Sequence, residues 1–195
     1  MAPTITVVLS YLLGSIPFAY IIGRLFKGID IRKVGDGNVG SVNAYQEIGP
    51  AAGLLVLAFD IAKGVAAIFI AQHFVSQFVV LLAGLAVVAG HIWPVFLGFK
   101  GGRGEATTGG VLLTLLPWEM LILLAIAIIP FVITRNTMLL GAILFAPLWL
   151  VGLLMGAESN LIIYSAARPG IVGIAHFLTT RRLPADIKRK GRYMR

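Results

Sequence analysis

Long apolar stretches, separated by short polar ones, run through almost the whole chain. The first extends from the N-terminus to Ile22, and others follow at about 48–71, 77–97, 106–116, 119–134, 137–157 and 160–180. A helix needs roughly 20 apolar residues to cross about 30 Å of hydrocarbon, so the pattern predicts a bundle of membrane-spanning helices. The first stretch has no positive charge ahead of it and no small-x-small cleavage site behind it, which marks a retained span rather than a removed signal. The stretch 106–116 is short and bounded by Pro117, so it is either a broken, re-entrant segment or the fourth of seven spans.

Composition agrees with that class. Of 195 residues, 58% are apolar and only 12% charged, and the mean hydropathy is +0.94. A soluble domain of this size carries about a quarter charged residues, so soluble enzyme folds are excluded. Zero cysteines exclude disulfides, thiolate metal sites and cysteine nucleophiles. The 16 Lys and Arg against 8 acids point to cytoplasmic loops and anionic lipid rather than to nucleic acid.

Charge also arbitrates the topology. With the N-terminus outside and seven spans, the inner loops hold Arg24, Lys27, Arg32, Lys33, Lys100, Arg103 and Arg135, and the inner tail holds seven more. That places 14 of 16 basic residues inside, with Lys63 and Arg168 within spans. If 106–116 did not cross, Arg135 and the tail would fall outside. The expectation is an all-α seven-helix membrane bundle, N-terminus outside and C-terminus cytoplasmic, forming one domain over 1–195 with a basic tail at 181–195.

Two inner loops carry candidate chemistry: VGDGNVGSVN at 34–43 and FKGGRGEATTGG at 99–110. Amides freed by glycine cradle anions, and a following helix N-terminus adds its positive dipole end. Lys100 and Arg103 supply charge, and Thr107 and Thr108 supply hydroxyls, so the loops read either as a phosphate or carboxylate site or as flexible turns whose cations set topology. Gly35 to Gly40 literally spell G-x-G-x-x-G, but no βαβ unit surrounds them, and the 100–104 run lacks P-loop spacing. Asp60 and Lys63, at i and i+3 inside a span, form a structural ion pair or touch substrate. Ser15 precedes Pro17, whose ring frees a backbone carbonyl, giving either a kink or a groove lined by a hydroxyl and a carbonyl. His91 and His176 lie at inner span ends as candidate bases or phosphate ligands, against the commoner packing role. His73 sits at an outer turn and is read as incidental. No His, Asp or Glu pair has metal-ligand spacing, so neither a metal nor a cofactor is expected.

Taken together, the blocks GSIPF at 14–18, DIR at 30–32, GxGNxG at 35–40 with Asn43, DxxKG at 60–64, GHxxPVFxxFKGG at 90–102 with Gly104, Ala106 and Thr107, and finally His176, resemble the bacterial acyl-phosphate:glycerol-3-phosphate acyltransferases, the PlsY family. The resemblance implies seven spans with cytoplasmic active-site loops in a bacterial inner membrane. It implies transfer of an acyl group from acyl phosphate to the 1-hydroxyl of glycerol 3-phosphate, giving lysophosphatidate for phospholipid synthesis, and coupling to an enzyme that makes acyl phosphate. On that reading Lys100 and Arg103 hold phosphate charge, and amides around Gly35, Gly37 and Gly40 and around Gly101, Gly102 and Gly104 hold phosphoryl and carbonyl oxygens. Asn38, Asn43 and Ser15 orient the acceptor, and His91 or His176 stands near the reacting hydroxyl. Asp36 stands where the family has serine, Gln46 where it has arginine, Arg103 where it has lysine, and Glu105 where an apolar residue is usual. Asp36 is therefore expected to repel a phosphate dianion, unless it is turned inward as an Asx-turn residue. A relative with another polyol-phosphate acceptor, or with no activity, would read the same way. A small organic-anion transporter is the rival from another class, but polar residues within the spans are few and the glycine loops share one side.

Overall fold

The computed structural model of the chain describes residues 2–167 together with Gly170 and Gly173, and every regular element among them is helical. Nine α-helices have both ends among the described residues: α1 Pro3–Gly14, α2 Phe18–Lys27, α3 Ser41–Glu47, α4 Pro50–Phe74, α5 Gln77–Ile92, α6 Glu105–Leu115, α7 Pro117–Thr134, α8 Thr137–Phe145 and α9 Leu148–Leu154; residues 159–167 are helical as well. Single 3-10 turns lie at Ile31–Lys33 and Val95–Leu97. Among the described residues, five segments are long and apolar enough to cross a membrane: Pro3–Lys27, Pro50–Phe74, Gln77–Leu97, Pro117–Thr134 and Thr137–Leu154.

Local chemistry sets the boundaries. Proline opens α1, α4 and α7 at the first helical turn, where its missing N–H costs nothing. Pro17 divides the first apolar stretch: α1 ends at Gly14, and the Ser15 hydroxyl donates to the Tyr11 carbonyl at 2.9 Å. Pro147 likewise separates α8 from α9 within the stretch 137–157. Asn136 caps α8 by accepting from the Met138 and Leu139 amides. With 11 residues, α6 is about 16 Å long, half the hydrocarbon thickness. Its shortness matches the interruption that Pro117 announces.

The described residues form two compact units, divided between Val111 and Leu112. In the first, α1 and α4 both pack on α5, and α2 and α3 pack on α4. Gly14 and Gly90 make the α1–α5 approach possible, because a Cβ on either would meet the partner helix's backbone at Val87 or Tyr11. Small residues at such crossings let membrane helices touch along their backbones. A core of Ala19, Ile22, Ile31, Val39, Ala44, Ile48, Ala52, Val56 and Leu97 lies beneath the connecting loops. Val39 belongs to the first glycine loop and Leu97 precedes the second, so burial in one core holds both. In the second unit α7 packs on α8 and α9. Its exposed Ile122, Ile126, Ile129 and Ile133 form a stripe at helical spacing of the kind hydrocarbon solvates. Arg168, His176 and the tail at 181–195 lie outside the described residues.

Candidate active site

The first glycine loop hangs on one side chain. Asn43 is 1% exposed, and its Nδ2 donates toward the carbonyls of Ile31, Val34 and Asn38 at 3.2, 3.2 and 3.0 Å. Its Oδ1 accepts from the Asp36 amide at 3.3 Å. Gly35 is required beside it, since its φ is +57° and a Cβ there would collide with that same Oδ1. Asn43, expected to orient the acceptor, thus has its polar atoms engaged by the loop. The N-terminal end of the loop is gripped by Asp30, which accepts from Arg32 Nε at 2.9 Å and Nη2 at 2.7 Å. That bidentate contact, opposed by burial, holds the Asp30 carboxyl down at about 2 from its ordinary 3.8. Arg24 and Arg32 both lie over the Tyr20 ring.

The second glycine loop folds back onto the end of α5. The Gly102 amide donates to the His91 carbonyl and the Gly101 amide to the Ile92 carbonyl, each at 3.1 Å. Gly37 donates to Val34 at 3.0 Å, and Asn38 donates to Asp36 Oδ1 at 3.0 Å. Of the amides expected to hold substrate oxygens, those of Gly37, Asn38, Gly101 and Gly102 donate within the loop structure. Glycine at 102 is needed for space, because a Cβ would strike His91 Nε2.

Beneath the second loop lies a buried polar cluster. Lys63 Nζ is 2.8 Å from Asp60 Oδ1, donates to the Ile16 carbonyl at 3.2 Å and faces the Phe18 ring. His91 Nδ1 lies 3.4 Å from the same Asp60 oxygen and 3.3 Å from Thr107 Oγ1. The i, i+3 pair is therefore part of a larger assembly linking the Ile16–Pro17 kink, α4, α5 and the start of α6. Single removal of a charge from such a buried pair leaves the other uncompensated.

These groups meet at one small opening, lined by Ser15, Ile16, Pro17, Val39, Asp60, Lys63, His91 and Gly101 among others. Both glycine loops, the kink and the polar cluster contribute to it. Ser15 is fully buried, with its hydroxyl turned to Tyr11. Thr107 is also fully buried and Lys100 is exposed. Gly35, Gly40 and Gly104 sit within the loops themselves, and Glu105 opens α6.

The two loops are also joined directly: Asp36 Oδ2 accepts from Arg103 Nη2 at 3.0 Å. Asp36 is turned inward, one oxygen capping its own loop and the other meeting Arg103, so the expected bare repulsive charge is replaced by a paired one. The Asx half was readable from Asp36 standing two residues before Asn38. The Arg103 half, 67 residues away, left no signal in local spacing. Tyr11 was also missed; its hydroxyl donates to the Trp93 carbonyl at 2.7 Å and ties α1 to the approach of the second loop.

Comparison with known proteins adds identity to this geometry. The family model described as glycerol-3-phosphate acyltransferase matches residues 4–189. Glycerol-3-phosphate acyltransferase 4 of Dehalococcoides mccartyi is 43% identical over 181 residues, covering 92% of this chain and 98% of that protein. The glycerol-3-phosphate acyltransferase of Syntrophomonas wolfei is 40% identical over 171 residues, 87% of each. The crystal structure of PlsY, an integral membrane glycerol 3-phosphate acyltransferase, in its glycerol 3-phosphate form superposes with a TM-score of 0.83 at 34% identity, covering 92% of this chain and 90% of that one. Its lysophosphatidic acid form gives 0.81 at 32%.

Proposed function

The chain belongs to the glycerol-3-phosphate acyltransferase family, the PlsY family of multi-pass membrane proteins, and from that premise we propose that it moves a fatty acyl group from acyl phosphate to the 1-hydroxyl of glycerol 3-phosphate. The hydroxyl oxygen attacks the acyl carbonyl carbon, the carbon–oxygen bond to phosphate breaks, and the departing phosphate takes the hydroxyl proton. Lysophosphatidate and inorganic phosphate result. Acyl phosphate is already activated, so the protein's task is placement and charge stabilisation rather than strong base catalysis.

The observation that carries this reading is the convergence of both glycine loops, the Ser15–Pro17 kink and the Asp60–Lys63–His91 cluster on a single opening. Arg103 and Lys100 attract and hold phosphate charge, and His91, seated between Asp60 and Thr107, stands near the reacting hydroxyl. Asn43 acts as the brace of the first loop instead of as a ligand. Asn38 presents an oxygen to the acceptor, while Gly40 and Gly104 keep the loop backbone close to it. The membrane arrangement in this proposal is seven spans with α6 as the short fourth, N-terminus outside and both loops and the tail in the cytoplasm of a bacterial cell. The whole chain works as one acyltransferase domain, fed by an enzyme that makes acyl phosphate.

Purified protein given palmitoyl phosphate and a panel of polyol phosphates tests it. Phosphate release that depends on glycerol 3-phosphate is expected. Release that is greatest with another polyol phosphate would support the divergent-acceptor reading, for which the exposed Gln46 speaks. Release indifferent to every acceptor would mean hydrolysis and contradict acyl transfer.

A further inference from the structure

Asp36 divides its two oxygens between two jobs. Oδ1 caps the Asn38 amide at 3.0 Å, and Oδ2 takes Arg103 Nη2 at 3.0 Å. The pair is sheltered, with Arg103 12% exposed and Asp36 10%, so solvent screens it weakly. The contact is one that a phosphate oxygen would make with the same guanidinium. Directly along the loop, Asn38 Oδ1 is buried without a hydrogen-bond partner. A carbonyl oxygen accepts and cannot donate, so phosphate oxygens do not satisfy it whereas an alcohol hydroxyl does. An anionic group for Arg103 and a hydroxyl for Asn38 together describe a polyol phosphate.

We infer that Asp36 is a specificity-determining residue of this site: its carboxylate holds Arg103 while the site is empty and yields it to the phosphate of a polyol phosphate whose hydroxyl reaches Asn38 Oδ1. The inference rests on the acyltransferase reading above. Exchange is favourable because phosphate carries more charge and more acceptor oxygens than one carboxylate. The loop survives it, since Oδ1 keeps the Asn38 amide when Oδ2 lets go. An acceptor must compete with the internal carboxylate, so its apparent affinity falls by the fraction of molecules in which the pair is closed. Acceptors without a phosphate cannot open the pair and are excluded.

Asp36→Asn tests this, because the amide oxygen still caps Asn38 while the charge is gone. In purified protein with saturating palmitoyl phosphate, the KM for glycerol 3-phosphate should fall at least threefold in D36N, with a smaller change in kcat. In an Arg103→Ala background, where KM is already raised, adding D36N should give no further fall. Asp36→Ser, whose hydroxyl also serves a turn cap, repeats the measurement should D36N fold poorly. An unchanged or raised KM, or an equal fall with and without Arg103, overturns the exchange and leaves the acyltransferase reading intact. Absence of glycerol 3-phosphate-dependent phosphate release from the unsubstituted protein overturns both.

Discussion

Asn43 decides the shape of the first loop through one amide group, and its removal leaves three loop carbonyls with less than they now receive. Unmet buried polar groups cost about 1–3 kcal/mol each. Asn43→Ala should therefore lower the melting temperature in detergent together with activity, by about 2 kcal/mol or more in stability; a pure substrate ligand would lose affinity alone, and that pattern would contradict the brace. At the other end of the loop, Asp30 titrates near 2 because Arg32 grips it. Its folded value lies below its unfolded one, so its contribution is fully present above about 4 and is lost as pH falls through about 2. The stability difference between the parent and Asp30→Asn should stay constant from pH 8 down to about 4; narrowing already near pH 6 would show another group at work. The cations are separable too. Arg103→Ala should cost at least about tenfold in kcat/KM, roughly 1.4 kcal/mol of transition-state binding, and normal transfer would reduce Arg103 to a topology signal. At this scale the sequence reads half the site. Residue types and the i, i+3 spacing of Asp60 and Lys63 announce a polar group inside a helix, but that His91 and Thr107 join it depends on how α5 and α6 meet α4. Glycine richness likewise announces tight loops without saying which carbonyls accept their amides.

Helices in the first unit approach through glycine, and neighbouring positions in α6 respond oppositely. A Cβ at Gly110 would strike the Ile61 carbonyl of α4, whereas one at Gly109 meets nothing within 4 Å. Gly110→Ala should destabilise the protein by at least about 2 kcal/mol, since overpacking against backbone has no cheap relief. Gly109→Ala should be neutral or stabilise by up to about 1 kcal/mol through helix propensity. Thermal unfolding of the two variants side by side checks this, and similar melting temperatures would deny the close α4–α6 contact. Hydropathy runs alone place nearly every long helix, because burial in hydrocarbon demands continuous apolar sequence. Prolines 17, 117 and 147 mark the interruptions. What the runs do not reveal is that Pro17 turns the Ile16 carbonyl to Lys63, since that contact belongs to tertiary packing.

For the whole molecule, the proposed topology rests on cations gathered on one side, and the absence of cysteine makes it open to labelling. Single cysteines replacing Ser76 or Ser159 should react with an impermeant maleimide outside intact cells, and one replacing Lys190 only after permeabilisation. External labelling at 190 would end the seven-span arrangement. The function itself is tested most directly by its products. Protein reconstituted in vesicles, given palmitoyl phosphate and glycerol 3-phosphate, should yield 1-palmitoyl lysophosphatidate by mass spectrometry in a one-to-one ratio with inorganic phosphate, and none without the acceptor. Phosphate accompanied by free palmitate, with no lysophosphatidate, would contradict it.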